Sequence, residues 1–133
     1  MKKTSVFILC LVATMFCFAQ TKISIIPEPI SVKELKEKEF KLSSKTKIAV
    51  NTNSDEMQSV KFLKDKLEYA FGKKICVTEL SELKDDANAI LFVKVSDKVL
   101  GNEGYNLKVT EKNIVIQANE NAGFFYAIQT LLQ

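Results

Sequence analysis

Two pairs of adjacent acids, Asp55-Glu56 and Asp85-Asp86, are the residues whose types and spacing could do chemistry. Paired carboxylates serve proton donation and nucleophilic assistance when their surroundings push them into different protonation states. Asp55-Glu56 reads as the start of a helix on its exposed side. Acids there answer the positive end of the helix dipole, an effect of about 0.3–1 kcal/mol each. Asp85-Asp86 lies in a polar stretch between Lys84 and Asn88 and reads as a solvated loop. Neither pair has an apolar sequence context, so neither is assigned a catalytic role.

What is missing excludes more. There is no His, so Ser-His-Asp and Cys-His arrangements and an H-E-x-x-H zinc site are all ruled out. All 19 basic residues are Lys, so no guanidinium fork is present to grip phosphate or carboxylate. The net charge is +3, and two of those lysines, Lys2 and Lys3, lie in a leader, which leaves no basic footprint for nucleic acid. None of the four glycines falls in a phosphate-cradling pattern, and Gly101-Asn102-Glu103-Gly104 reads as a turn. Cys76 alone cannot build a structural zinc site. Between Ile75 and Val77 it is expected to be a small buried apolar residue. Phe124, Phe125 and Tyr126 are consecutive and must point different ways around a helix, so they read as packing, not as a shelf for sugar. Tyr105 is a single ring that could be exposed. The sequence therefore assigns no catalytic, cofactor-binding or metal-binding residue.

The elements follow from periodicity. Residues 1–19 read as a secretory signal peptide: Lys2-Lys3, an apolar run from Val6 to Phe18, and Cys17-Phe18-Ala19 before a cut ahead of Gln20. The run is too short to span a bilayer comfortably. The bulky Phe16 argues against a lipoprotein cut before Cys17. The expected location is secreted or periplasmic, with residues 20–133 as one domain and no internal disulfide. Ile30 to Leu35 and Phe40 to Leu42 alternate weakly as possible strands, and Thr46 to Val50 does so better. Asn53 or Ser54 should cap a helix whose buried stripe is Met57, Val60, Leu63, Leu67, Ala70 and Phe71, with Gly72 as its stop. Ile75 to Thr78 is a short strand. Ala89 to Val95, almost all apolar, predicts a central strand covered on both faces. Gly104 to Thr110 and Ile114 to Ala118 form a hairpin. Asn119 or Asn121 should cap a last helix with the stripe Phe124, Ile128, Leu131 and Leu132. Apolar nearly all round and without a stop signal, this helix reads as cut off at Gln133 from something larger. The sum is an α/β sandwich, a mixed sheet of about five strands with both helices on one face.

Two stretches carry a family resemblance. One is Ile25-Ile26-Pro27-Glu28-Pro29 with Phe40-Lys41-Leu42 and Thr46-Lys47-Ile48. The other is Gly104-Tyr105-Asn106-Leu107, Ile114-Val115-Ile116 and the tail Ala122-Gly123-Phe124-Phe125-Tyr126-Ala127-Ile128-Gln129-Thr130-Leu131-Leu132-Gln133. Together they resemble the N-terminal domain of bacterial β-N-acetylhexosaminidases of glycoside hydrolase family 20. Ala127 departs from the Gly often found there, and Ala suits a helix at least as well. The resemblance implies a zincin-like α/β domain followed directly by a catalytic (β/α)8 barrel, the domain's partner. In that barrel an Asp-Glu pair would act on terminal N-acetylhexosamine: Glu donates the proton and Asp orients the substrate's acetamido nucleophile. No residue up to Gln133 inherits such a role. A secreted glycan-binding module and the N-domain of a related glycosidase, such as an O-GlcNAc hydrolase or α-glucuronidase, are the competing readings. The first predicts exposed aromatics and a properly ended last helix, the second a different tail.

Overall fold

Branched aliphatics at every second position build the sheet, because alternate side chains of a strand share a face. The computed structural model describes residues 24–36, 38–51, 55–84 and 87–133. The expected signal peptide, its cleavage site, the caps Asn53 and Ser54, and Asp85-Asp86 lie outside them. Strands β1 (Lys47–Val50), β2 (Cys76–Glu79), β3 (Ala89–Lys94), β4 (Tyr105–Val109) and β5 (Asn113–Ala118) form one sheet in the order β2-β1-β3-β5-β4. The β1–β2, β1–β3 and β3–β5 pairs are parallel, and the β4–β5 hairpin is antiparallel, so the sheet is mixed as expected.

Register puts one apolar row across the sheet. Val77 pairs with Ile48, Ile48 with Ile90, Ile90 with Ile114, and Ile114 with Val109. Phe92, Ile116 and Leu107 make the next row. Helices α1 (Met57–Phe71) and α2 (Asn121–Leu131) cover this face with Val60, Leu63, Leu67, Phe124, Ala127 and Ile128. Each large side chain so buried contributes about 1.5–3 kcal/mol. Phe92 and Phe124, both fully buried, meet at 5.5 Å between ring centroids and join sheet to helix.

Several expectations need correction. Ile30 to Leu35 and Phe40 to Leu42 are not strands; Phe40 and Leu42 instead pack from an irregular segment onto the core. The buried stripe of α1 stops at Leu67, because Ala70 is exposed and Phe71 retains 55% of its surface in the last turn. Gly72 does end α1, in the left-handed conformation (φ 63°), and its N–H closes on the Glu68 carbonyl at 2.8 Å. β3 is central in the sheet, yet Leu91 and Val93 on its second face are only half-buried. Cys76 is exposed, since it lies on an edge strand with its neighbour Val77 turned to the helices.

The last helix has no side-chain cap. Asn119 is engaged elsewhere: its Oδ1 accepts from Asp97 N–H and its Nδ2 donates to the Asp97 and Gly101 carbonyls, which stitches down the turn before β4. Asn121 accepts a 2.6 Å hydrogen bond from Ser59 Oγ, which ties the starts of the two helices together. Among the described residues no helix is long and apolar enough to cross a membrane.

Candidate functional site

The helix layer carries an open surface groove. The sheet presses both helices from one side, so each keeps an outer side free. There α1 contributes Gln58, Ser59 and Phe62, and α2 contributes Asn121, Ala122, Phe125 and Tyr126. They line an open groove of about 400 Å³. One end is polar, with the buried Ser59 hydroxyl turned to Asn121. The other end is aromatic. Phe62 and Phe125 lie 5.5 Å apart, Phe125 and Tyr126 are 6.0 Å apart and near edge-on at 67°, and the Lys66 ammonium stands 5.6 Å from the Phe62 centroid.

The three consecutive aromatics diverge as the helix requires. Phe124 enters the core, while Phe125 and Tyr126 remain exposed. Phe62, off the buried stripe of α1, is the groove residue that periodicity does not single out. It packs partly against the core and meets Phe125 across the groove. Tyr105 is partly buried, not free: its hydroxyl shares a 2.6 Å hydrogen bond with Thr130 Oγ1, which locks β4 to α2.

The acid pair that could be placed does not form a reactive pair. Glu56 is buried, contrary to the exposed helix start expected of it, with 3% of its surface remaining, while Asp55 is exposed. Neither Glu56 oxygen has a hydrogen-bond partner among the described residues, and the nearest cation is Lys94 Nζ at 3.9 Å from Oε1. Glu56 is buried just before α1 with its carboxylate facing Lys94 at the end of β3, a placement that residue spacing does not reveal. A buried carboxylate with a lysine at its edge is an ion pair, and its neighbour Asp55 is exposed instead of sharing that environment to divide the work of acid and base. Among the described residues no group of three His, Cys, Asp or Glu side chains could hold a metal ion.

Residues 22–133 match the sequence profile of glycosyl hydrolase family 20, domain 2. The chain belongs to glycosyl hydrolase family 20. It is 31% identical over 137 aligned positions to a β-hexosaminidase of Porphyromonas gingivalis, which takes in 95% of this chain and 17% of that protein. Its fold matches the family 20 β-N-acetylhexosaminidase of Streptomyces coelicolor A3(2) at a TM-score of 0.68 and 31% identity, over 81% of this chain and 20% of that one. The N-acetyl-β-hexosaminidase of Streptomyces plicatus matches at 0.61 and 28% identity, over 73% of this chain and 18% of that one. The family 20 sequence here thus spans about a fifth of the length of these relatives. What matches is one unit of a larger enzyme, the unit whose helices, groove and sheet are described above.

Proposed function

We propose that this chain is the accessory, non-catalytic domain of a secreted β-N-acetylhexosaminidase. In this reading residues 1–19 direct export and are removed after Ala19, and residues 20–133 fold as the zincin-like domain that precedes a (β/α)8 barrel. Catalysis belongs to the barrel. There a Glu would protonate the leaving oxygen while an Asp holds the acetamido group of a terminal N-acetylhexosamine for attack on its own anomeric carbon. The domain's contribution is mechanical: the aromatic end of the α1–α2 groove supplies an apolar seat for the barrel.

The match of residues 22–133 to domain 2 of the family carries this reading. The groove supports it, because Phe125 and Tyr126 are large apolar side chains at a surface that their own domain does not cover. Exposed aromatics would also suit a glycan-binding module. Against that, Phe125 and Tyr126 stand near edge-on at 67°, so they offer no flat stacking platform for a sugar ring.

The test is hydrolysis of an aryl N-acetylglucosaminide. The chain ending at Gln133 should be inactive and the same chain extended through a barrel active. Turnover by the short chain that disappears in an Asp55→Ala, Glu56→Ala double variant would overturn the assignment. Millimolar binding of a chitooligosaccharide that shifts the Phe62, Phe125 and Tyr126 resonances would favour the binding-module reading.

A further inference from the structure

The segment before β1 presents aliphatic side chains that the domain's own core does not take up. Ile26 keeps 76% of its surface, Ile30 is fully exposed, and Val32 keeps 52%. Leu35, too, is exposed. The segment has no helix or strand to hold it. A distant side chain helps to hold it. The Gln133 amide accepts from the Ile26 N–H through Oε1 at 2.9 Å and donates from Nε2 to the Ile26 carbonyl at 2.7 Å. The two residues are 107 positions apart. A side-chain amide that satisfies both backbone groups of one residue copies the paired bonds of a strand neighbour. It fixes both the position and the direction of the segment at that point. It also brings Ile26 beside the end of α2, where Leu132 is exposed.

We propose that Gln133 is a clamp that holds residues 24–36 against the end of α2, so that Ile26, Ile30 and Val32 extend the seat offered to the catalytic portion of the same polypeptide. The occupant rests on the functional reading above, and it follows from tethering. In the Streptomyces coelicolor enzyme the matching unit is 20% of the chain, so the remainder is always attached. A tethered partner acts at an effective concentration in the millimolar range, far above a free second copy at ordinary protein concentration. A partner present at all times also explains why the aliphatics sit on an ordered, clamped segment. Four such side chains left to water would favour aggregation.

Two measurements test it. First, amide exchange at Ile26 is followed in the 133-residue chain and in its Gln133→Leu and Gln133→Glu variants. Leu removes both hydrogen bonds, whereas Glu keeps an acceptor and sets a negative oxygen against the Ile26 carbonyl. Exchange should quicken about fivefold or more in the Leu variant and less in the Glu variant, with the Phe92 amide unchanged as a control on folding. Equal rates at Ile26 in all three chains would overturn the clamp. Second, an Ile30→Asp, Val32→Asp double variant is melted in the 133-residue chain and in the chain extended through the barrel. The extended chain should lose several degrees and the short chain none. Equal shifts in both, or no shift in the extended chain, would overturn the seat. Failure of the unmodified extended chain to cleave an aryl N-acetylglucosaminide would remove the functional reading, while the exchange and melting results still decide the clamp and its seat.

Discussion

Gly123 shows how tightly the last helix meets the hairpin. A Cβ at this position would lie 2.4 Å from the Gly104 carbonyl oxygen and 2.8 Å from the Ala118 Cβ. The first contact is backbone, so it cannot swing aside. Gly123→Ala should therefore destabilise the domain by about 1–3 kcal/mol, although Ala is the better helix former. Urea unfolding checks it, and a neutral or stabilising result would mean that α2 can slide off the hairpin without cost. Glu56 calls for the opposite experiment. It is buried, lacks a hydrogen-bond partner among the described residues and reaches Lys94 only at 3.9 Å. A carboxylate taken from water for so little return gives weak net stability. Glu56→Met, of similar size, should leave stability within about 1 kcal/mol of the parent or raise it. A loss above 3 kcal/mol, the mark of a broken buried network, would show that Glu56 has a stronger role than this geometry gives it.

Among the elements, α1 is joined to the residue before β2 through a carboxylate that can be titrated. Glu68 Oε1 accepts from the Ile75 N–H at 2.8 Å and from Lys64 Nζ at 3.0 Å. The Ile75 hydrogen bond first, then the lysine, holds this carboxyl below its ordinary value of 4.5. A carboxylate lowered in the folded state binds fewer protons there than in the unfolded chain. Its contribution is thus present above the ordinary value and lost as pH falls below it through the folded value. Glu68→Gln keeps an acceptor for Ile75 and deletes the charge. It should lower the urea midpoint at neutral pH, and the difference should shrink as pH falls below the ordinary carboxylate value. A difference that does not change with pH would assign the effect to geometry instead of charge. The elements were largely legible from periodicity, because α1, β3, the hairpin and α2 each bury a stripe, although Leu132, expected in that of α2, is exposed. Where the pattern misled, exposure was decided by position in the element or the sheet. Cys76 sits on an edge strand, and Phe71 is the last residue of α1. The weak alternation of Ile30 to Leu35 suggested a strand, yet among the described residues no strand pairs with it. The groove was only half legible: Phe125 and Tyr126 stood out, whereas Phe62, Ser59 and the Gln133–Ile26 contact depend on pairings across the fold that no local pattern encodes.

For the molecule as a whole, the question is what the exposed apolar surface does in a chain of this length. Phe125 and Tyr126 retain 43% and 45% of their surface beside the groove, Leu132 is exposed at the end of the same helix, and Ile26 is clamped next to it. The sheet buries only one side of α2, so the outer side must be covered by another body or by water. Water is the costly option, since each large apolar side chain left out forgoes about 1.5–3 kcal/mol. The 133-residue chain should accordingly self-associate, bind an apolar dye and melt lower than the chain extended through the barrel. Phe125→Ser with Tyr126→Ser separates the causes. In the short chain it should reduce dye binding and association at little cost to folding, because neither ring is in the core. In the extended chain the same change should lower the melting temperature, because there the rings have a partner to lose. Sedimentation, dye titration and thermal melts on the four proteins read out both effects. If the short chain is monomeric, binds no dye and melts as high as the extended one, the groove needs no cover. The domain is then complete by itself, and the glycan-binding reading replaces the accessory one.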